Sequence, residues 1–326
     1  MDTNNVLEIR DLHVIYETDQ STVYAVNGVN LTVTKGKTLG LVGETGAGKT
    51  TTALSIMRLL PKRIGIIRQG SITLDGHNVM ELTEGDMRLI RGDTVSMIFQ
   101  DPMTSLNPVI TVGKQIRESL ELHRNGRSDK EIDARVDEML EMVGIPASRK
   151  NDYPHQFSGG MKQRVVIAIA LACSPELLIA DEPTTALDVT IQAQVLELMR
   201  KLKAELNTST ILITHDLGVV AEMCDKVAIM YCGMIMEYGT LRDVYKNPAH
   251  PYTQGLFDSL PDLDTEVPRL KPIPGMVPDP TELPAGCPFE NRCARATERC
   301  KTECPKLRTL SGTHTVRCHN VEGGEQ

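Results

Sequence analysis

Three groups of residues have the types and spacing to do chemistry. The first, Gly43-Glu44-Thr45-Gly46-Ala47-Gly48-Lys49-Thr50, fits the pattern G-x-x-x-x-G-K-[ST]. Its glycines let the backbone wrap so that N–H groups point at phosphate oxygens. Lys49 supplies a compact positive charge for the β and γ phosphates, and Thr50 offers a hydroxyl to Mg²⁺. The helix that follows adds its positive end. An apolar strand, Leu39–Val42, precedes the loop and a helix-forming run, Thr51–Leu60, follows it. A plain glycine-rich turn requires neither.

The second group is Asp181-Glu182, which ends the apolar run Leu177–Ala180. Asp181, at the end of a buried strand, can bind Mg²⁺ through water, and Glu182 is placed to polarise a water attacking phosphate. Paired acids at a strand end also occur as solvated turn residues. Beside a phosphate loop the Mg²⁺ reading prevails. The third group is a crowd of five of the eight cysteines: Cys287, Cys293, Cys300, Cys304 and Cys318. In a reducing compartment such thiols are free, metal-bound or redox-active rather than a disulfide frame.

Composition bounds what these groups can serve. The chain has 326 residues, 40% of them hydrophobic and 24% charged, which is ordinary globular usage. Its longest apolar run, Val165–Cys173, is nine residues, against roughly 18–20 for a membrane span. No signal-peptide pattern opens it, so a soluble protein inside the cell is expected. A net charge of −8 argues against a chain that coats nucleic acid. With no Trp, 4 Phe and 7 Tyr, single-strand stacking platforms are not expected.

The elements that must position these groups alternate. Leu7–Ile9, Thr38–Val42, Val95–Phe99, Leu177–Ala180, Thr210–Thr214 and Lys226–Tyr231 read as strands. Several are apolar throughout, as strands covered on both faces are. Glu131–Val143 and Ile191–Leu206 read as helices, the second with Ile191, Val195, Met199, Leu202 and Leu206 at helical spacing. Alternation implies an α/β core. Residues 101–163 read as a mostly helical insert. Eleven of 18 prolines fall from Pro248 onward, seven of them between Pro268 and Pro288, a stretch that cannot be regular helix or central strand. A boundary is placed near Lys246: residues 1–245 form one domain, and 246–326 a proline-rich connector with a cysteine-rich C-terminal domain. Cys173, Cys224 and Cys232 sit in apolar surroundings and read as core thiols.

The segment Phe157-Ser158-Gly159-Gly160-Met161-Lys162-Gln163 resembles the signature of ATP-binding cassette (ABC) ATPases and lies just before Asp181, as that family requires. Phe157 and Met161 depart from its commonest form. The resemblance covers about residues 5–245 and implies a P-loop (RecA-like) α/β nucleotide-binding domain with a helical subdomain. It implies that Tyr16 stacks on adenine and that Gln100 senses Mg²⁺ and the transporter interface. Ala186-Leu187-Asp188 matches the D-loop, and His215 the switch histidine on the γ phosphate. Nucleotide contacts then fall to Tyr16, to Gly43, Glu44, Thr45, Gly46, Ala47, Gly48, Lys49, Thr50 and Thr51, and to Asp181. In a dimer that sandwiches two ATPs, Ser158, Gly159, Gly160 and Asp188 join them. Glu182, His215 and Gln100 carry catalysis, and Thr50, Gln100 and Asp181 hold Mg²⁺.

Gln100–Pro108, Phe157–Met161, Asp181–Gln194 and Pro248–Gln254 look like the dipeptide, oligopeptide and nickel importers, in their "D"-type cassette. That resemblance implies a second, different ATPase subunit, two transmembrane permease subunits and an extracytoplasmic peptide-binding protein, with this chain peripheral on the cytoplasmic face of the membrane. The helical insert near Gln100–Glu118 is then the permease's docking site, or a subdomain that only caps the core. Dipeptides, longer peptides and nickel all remain open as the transported solute. A soluble ABC ATPase of DNA repair, chromosome structure or translation is the rival class, and an iron–sulfur redox sensor a third. Cys287, Cys293, Cys300 and Cys318 match a C-terminal motif of peptide-importer cassettes that can hold a [4Fe–4S] cluster. Cys304 falls at a variable position. A short proline-rich segment gains folding energy from such a group. Zinc remains open, though the paired C-x₂-C knuckles typical of it are missing, and so do disulfides or free thiols.

Overall fold

Buried β-branched runs form the sheets, and capped amphipathic segments form the helices that flank them. The computed structural model describes residues 4–185, 187–259, 272–321 and 324–325. Strands β1 (Asn5–Glu17), β2 (Thr22–Thr34) and β3 (Thr38–Val42) lead to helix α1 (Lys49–Ile56). Then come β4 (Gly65–Leu74), β5 (His77–Asn78), α2 (Glu84–Ile90) and β6 (Val95–Ile98). Four helices follow: α3 (Pro102–Ser105), α4 (Val112–Leu122), α5 (Asp129–Met142) and α6 (Gly159–Leu171). Next are β7 (Leu177–Asp181), α7 (Val189–Leu206), β8 (Ser209–Thr214), α8 (Leu217–Met223) and β9 (Lys226–Tyr231). The chain continues through β10 (Met234–Thr240), α9 (Leu241–Lys246) and α10 (Pro251–Asp258). The C-terminal segment adds α11 (Glu298–Thr302), β11 (Arg308–Ser311), β12 (His314–Val316) and β13 (Gly324–Glu325).

The chain divides into two compact units, one made of residues 1–8, 32–38 and 73–214, the other of 9–31, 39–72 and 215–326. In the first, β8, β7 and β6 lie side by side. They are parallel, with Val95 opposite Leu177 and Asp181 opposite Ile213. Every residue of the three is buried, which is why they read as unbroken apolar runs rather than alternating ones. The helical insert packs on its own apolar faces, with Val112, Ile116 and Leu120 of α4 and Ile132, Val136, Met139 and Leu140 of α5 buried. Helix α5 starts in a capping box between Ser128 and Glu131.

In the second unit, β3 runs parallel to β9, Leu39 opposite Lys226 and Val42 opposite Ile229. Strand β9 then turns back into β10 through Cys232 and Gly233. Both carry positive φ, 45° and 76°, as a two-residue I′ hairpin requires. The sheet continues β10, β12, β11, β13, so the cysteine segment adds strands to it. Glu237 of β10 has no exposed surface. Its carboxylate accepts from the backbone N–H groups of Ala249 and His250, each at 2.8 Å, and lies 2.8 Å from His314 Nε2. A buried carboxylate is tolerable when its oxygens are satisfied in this way, and here it ties the entry of α10 and strand β12 to β10. Cys173, Cys224 and Cys232 are buried and outside any disulfide, and burial pushes the Cys232 thiol up to about 12. Of the proline-rich stretch, residues 272–286 form no helix or strand. Residues 260–271 lie outside those described.

Candidate functional site

In the second unit, β3 ends in the loop Gly43–Gly48, and α1 begins at Lys49. Two of its glycines are forced by space. A Cβ on Gly43 would lie 2.1 Å from the Met230 carbonyl oxygen. One on Gly48, at φ +99°, would lie 2.3 Å from the Ala25 carbonyl oxygen. The first turn of α1 carries no acidic residue, so the positive end of its dipole is uncompensated and suits an anion. Lys49 is 7% exposed. Its Nζ donates to the carbonyls of Gly43 at 2.6 Å and Glu44 at 3.0 Å. Thr45, Gly46 and Thr50 are exposed, Ala47 is buried, and Thr51 is half-buried. The Tyr16 hydroxyl sits 3.1 Å from Thr51 Oγ1, so the adenine-stacking candidate is tied to the loop's own helix. His215 is exposed, and the residue after it, Asp216, caps α8.

Glu44 is held in a way the sequence does not announce. Its backbone N–H donates to the Tyr252 hydroxyl at 3.0 Å. Its carboxylate receives both Arg292 Nη1 at 2.7 Å and Arg292 Nη2 at 3.0 Å. Around the pair, Tyr231, Tyr252 and Phe289 form a ring cluster with centroids 4.6–5.4 Å apart. Burial pushes the Tyr231 hydroxyl up to about 12, and the Tyr252 hydroxyl is raised for the same cause, so both are protonated donor–acceptors at neutral pH.

In the first unit, the structure brings three of the named residues together. Asp181 closes β7 and is 3% exposed. Glu182, next to it, has φ +47°, a left-handed conformation costly for a side chain of this kind and concentrated at functional sites. Its N–H donates to the Ile213 carbonyl at 2.8 Å. Its Oε2 accepts from Gln100 Nε2 at 3.1 Å and from Thr185 Oγ1 at 2.9 Å. Thr185 is the partner that sequence reasoning missed: nothing in Pro183-Thr184-Thr185 distinguishes the threonine that reaches back from the one beside it.

Ser158 caps α6, accepting from the Met161 N–H at 3.4 Å. Phe157 is 5% exposed, with the Arg149 guanidinium 4.3 Å over its ring, so a cation–π contact and burial account for an aromatic there. Gly160 is needed by the fold, since a Cβ would lie 2.6 Å from Ile191 Cγ2. Gly159 would meet nothing within 4 Å. Asp188 caps α7, accepting from the Ile191 N–H at 2.9 Å. Ala186, the first residue of the expected D-loop, lies outside the described residues.

Cys287, Cys293, Cys300 and Cys318 line one small cavity with His250, Phe289 and His319. Cys304 does not. Its thiol faces Met234 Sδ and the Pro305 carbonyl oxygen, each at 3.9 Å. Burial raises Cys287 to about 12 and raises Cys293 and Cys318 as well. Neighbouring thiols add to each shift. Among the described residues, no group of three or more His, Cys, Asp or Glu stands close enough together to hold an ion as placed. The donor set, four soft sulfurs on one cavity, still fits a thiophilic metal in kind.

The chain matches the ABC transporter family over residues 26–185, and the C-terminal region of oligopeptide/dipeptide transporters over residues 236–300. It is 51% identical to the oligopeptide transport ATP-binding protein AppD of Bacillus subtilis, over 99% of each chain. It is 51% identical to OppD of Salmonella typhimurium over 97% of this chain and 93% of that one. It is 50% identical to the dipeptide transport ATP-binding protein DppD of Bacillus subtilis over 96% and 94%. The post-hydrolysis dimer of the ATP-binding cassette MJ0796, bound to ADP and Pi, superposes with TM-score 0.64 at 28% identity, covering 72% of this chain and 99% of that one. The chain therefore belongs to the ATP-binding cassette family of transport ATPases. Within it, the C-terminal match places the sequence beside the oligopeptide/dipeptide proteins. Among the described residues, no helix is long and apolar enough to cross a membrane.

Proposed function

We propose that this chain is the ATP-hydrolysing subunit of an importer for di- and oligopeptides. The observation that carries the reading is the likeness to AppD along the whole of both chains, C-terminal segment included. The chain would work at the cytoplasmic face of the membrane, beside a second, different cassette, on two permease subunits fed by an extracytoplasmic peptide-binding protein. Nickel uptake by the same kind of machine is the second reading, since the segments around Gln100 and Pro248 resemble dipeptide, oligopeptide and nickel importers alike.

In this reading the backbone of Gly43–Gly48 wraps the phosphates, Lys49 neutralises the β and γ oxygens, and Tyr16 packs against adenine. Thr50, Gln100 and Asp181 are the residues that would hold Mg²⁺, which would supply positive charge against the charge developing on the phosphates. Glu182 polarises the attacking water, with its carboxylate kept in one orientation by Gln100 and Thr185. His215 donates to the γ phosphate. Ser158, Gly159, Gly160 and Asp188 serve the partner cassette's nucleotide. ATP binds the closed cassette pair more tightly than the open one, and that difference is what can shift the permeases between access states.

The C-terminal segment is proposed as a metal-held extension. Cys287, Cys293, Cys300 and Cys318 would bind a [4Fe–4S] cluster as thiolates, and the group would supply a cross-link to a segment with little core of its own. Anaerobically purified chain is expected to carry about four iron and four sulfide. A colourless chain with one zinc would replace the cluster by zinc. For the transport reading, Glu182→Gln in cells should retain ATP binding and abolish peptide uptake. Uptake at the wild-type rate would transfer the work to the partner's site.

A further inference from the structure

The geometry points to Arg292 as a positioning residue for the phosphate loop: the cysteine segment reaches back to Glu44 and fixes the loop from outside it. The inference rests on reading Gly43–Thr50 as the nucleotide loop. Arg292 immediately precedes Cys293, and 248 positions separate it from Glu44. Its side chain is 5% exposed and that of Glu44 29%.

The guanidinium's planar fork is fully engaged. Nε donates to the Pro274 carbonyl at 3.1 Å, Nη1 to Glu44 and, at 3.2 Å, to the Tyr231 hydroxyl, and Nη2 to Glu44 and, at 3.3 Å, to the Ile273 carbonyl. That accounts for its five N–H groups. Bidentate pairing with a carboxylate is the strong, orientation-specific form of this contact.

Glu44, in turn, is gripped at three handles: its carboxylate by Arg292, its N–H by Tyr252, and its carbonyl by Lys49. The carbonyl of the same residue also receives the Ala47 N–H at 3.1 Å. Rotating Glu44 would therefore carry along the Lys49 ammonium and the turn that presents the loop's remaining N–H groups. On the other side, Phe289, whose ring centroid lies 5.8 Å from the Arg292 guanidinium, lines the cysteine cavity. The clamp thus joins the cavity wall to the loop.

A tail that only folds against the loop would not set nucleotide affinity. The test uses the full chain, binding of a non-hydrolysable ATP analogue, and KM and kcat in the assembled transporter. Arg292→Gln is expected to weaken analogue binding and raise KM about tenfold, with kcat within about threefold, because a charge-assisted bidentate contact is lost, and Glu44→Gln to weaken analogue binding by a similar factor. The double variant should be no worse than the worse single, since both remove one contact, and Arg292→Lys should recover part of the loss. If Arg292→Gln lowers the melting temperature sharply, Glu44→Gln still decides the matter, because it leaves the Pro274 and Ile273 bonds in place. Glu44→Gln with wild-type affinity, or losses that multiply in the double variant, would overturn the inference. Lys49→Ala separates the underlying reading: if it binds the analogue as wild type does, the loop is not the nucleotide site, and the clamp is not what failed.

Discussion

The phosphate loop and the signature segment are built on opposite plans. Glu44 and Lys49 are tied down by their own chain, to Tyr252, to Arg292 and to each other. Ser158 and Gly159 are exposed at the start of α6, and among the described residues a Cβ on Gly159 would meet nothing within 4 Å. One region is tied down by its own chain, and the other lies exposed at the start of a helix. In the proposed reading, that difference separates residues that bind the chain's own nucleotide from residues that would serve a partner's.

Two substitutions at the proposed nucleotide residues should have the large effects. Lys49→Ala should weaken nucleotide binding by about 100-fold or more, because a nearly buried cation aimed at the loop is removed; equilibrium binding measures it. Glu182→Gln should lower hydrolysis about a thousandfold and leave binding intact, the loss typical of a general base. Loss of binding as well would mean that Glu182 holds the loop rather than the water. Next come the paired glycines. Gly160→Ala must displace Ile191 and should cost about 1–3 kcal/mol in thermal melting. Gly159→Ala has open space and should leave the isolated chain's stability within about 0.5 kcal/mol, while impairing the assembled transporter.

The smallest effect is a stability control in the second unit. Thr240 and Asp243 form a capping box at α9, and Thr240→Ala should cost about 1 kcal/mol without moving nucleotide affinity. The Thr240 hydrogen bonds hold the Asp243 carboxyl below its ordinary 3.8. Its contribution is therefore present at neutral pH and is lost as the solution is acidified through that depressed value. Acid titration of the two proteins by circular dichroism should show the difference between them closing only there.

What could be read from sequence was whatever left a periodic or compositional trace. Strands β3 and β9 match their expected bounds because every residue of β3, and all but Lys226 of β9, is buried. Strands β1 and β2 were legible only as Leu7–Ile9. Each mixes buried and exposed residues, and β2 carries Asn27, Gly28 and Asn30, residues of low strand propensity. Gln100 and Glu182 were each identifiable alone, but not the bond between them across 82 positions. Glu44 was named only as a nucleotide contact of the loop, since a carboxylate in a phosphate loop gives no sign of an arginine 248 positions on. Glu237 left no trace at all: a single acid in a strand is normally a solvated face, and only the folded chain shows three donors closing on it.

The comparison rests most directly on ATP turnover by this chain alone and within the assembled transporter, at equal ATP and protein concentrations. If this site needs a partner's signature, as proposed, the isolated chain still binds ATP but hydrolyses it at least about a hundredfold more slowly. Equal turnover in the two states would contradict that reading.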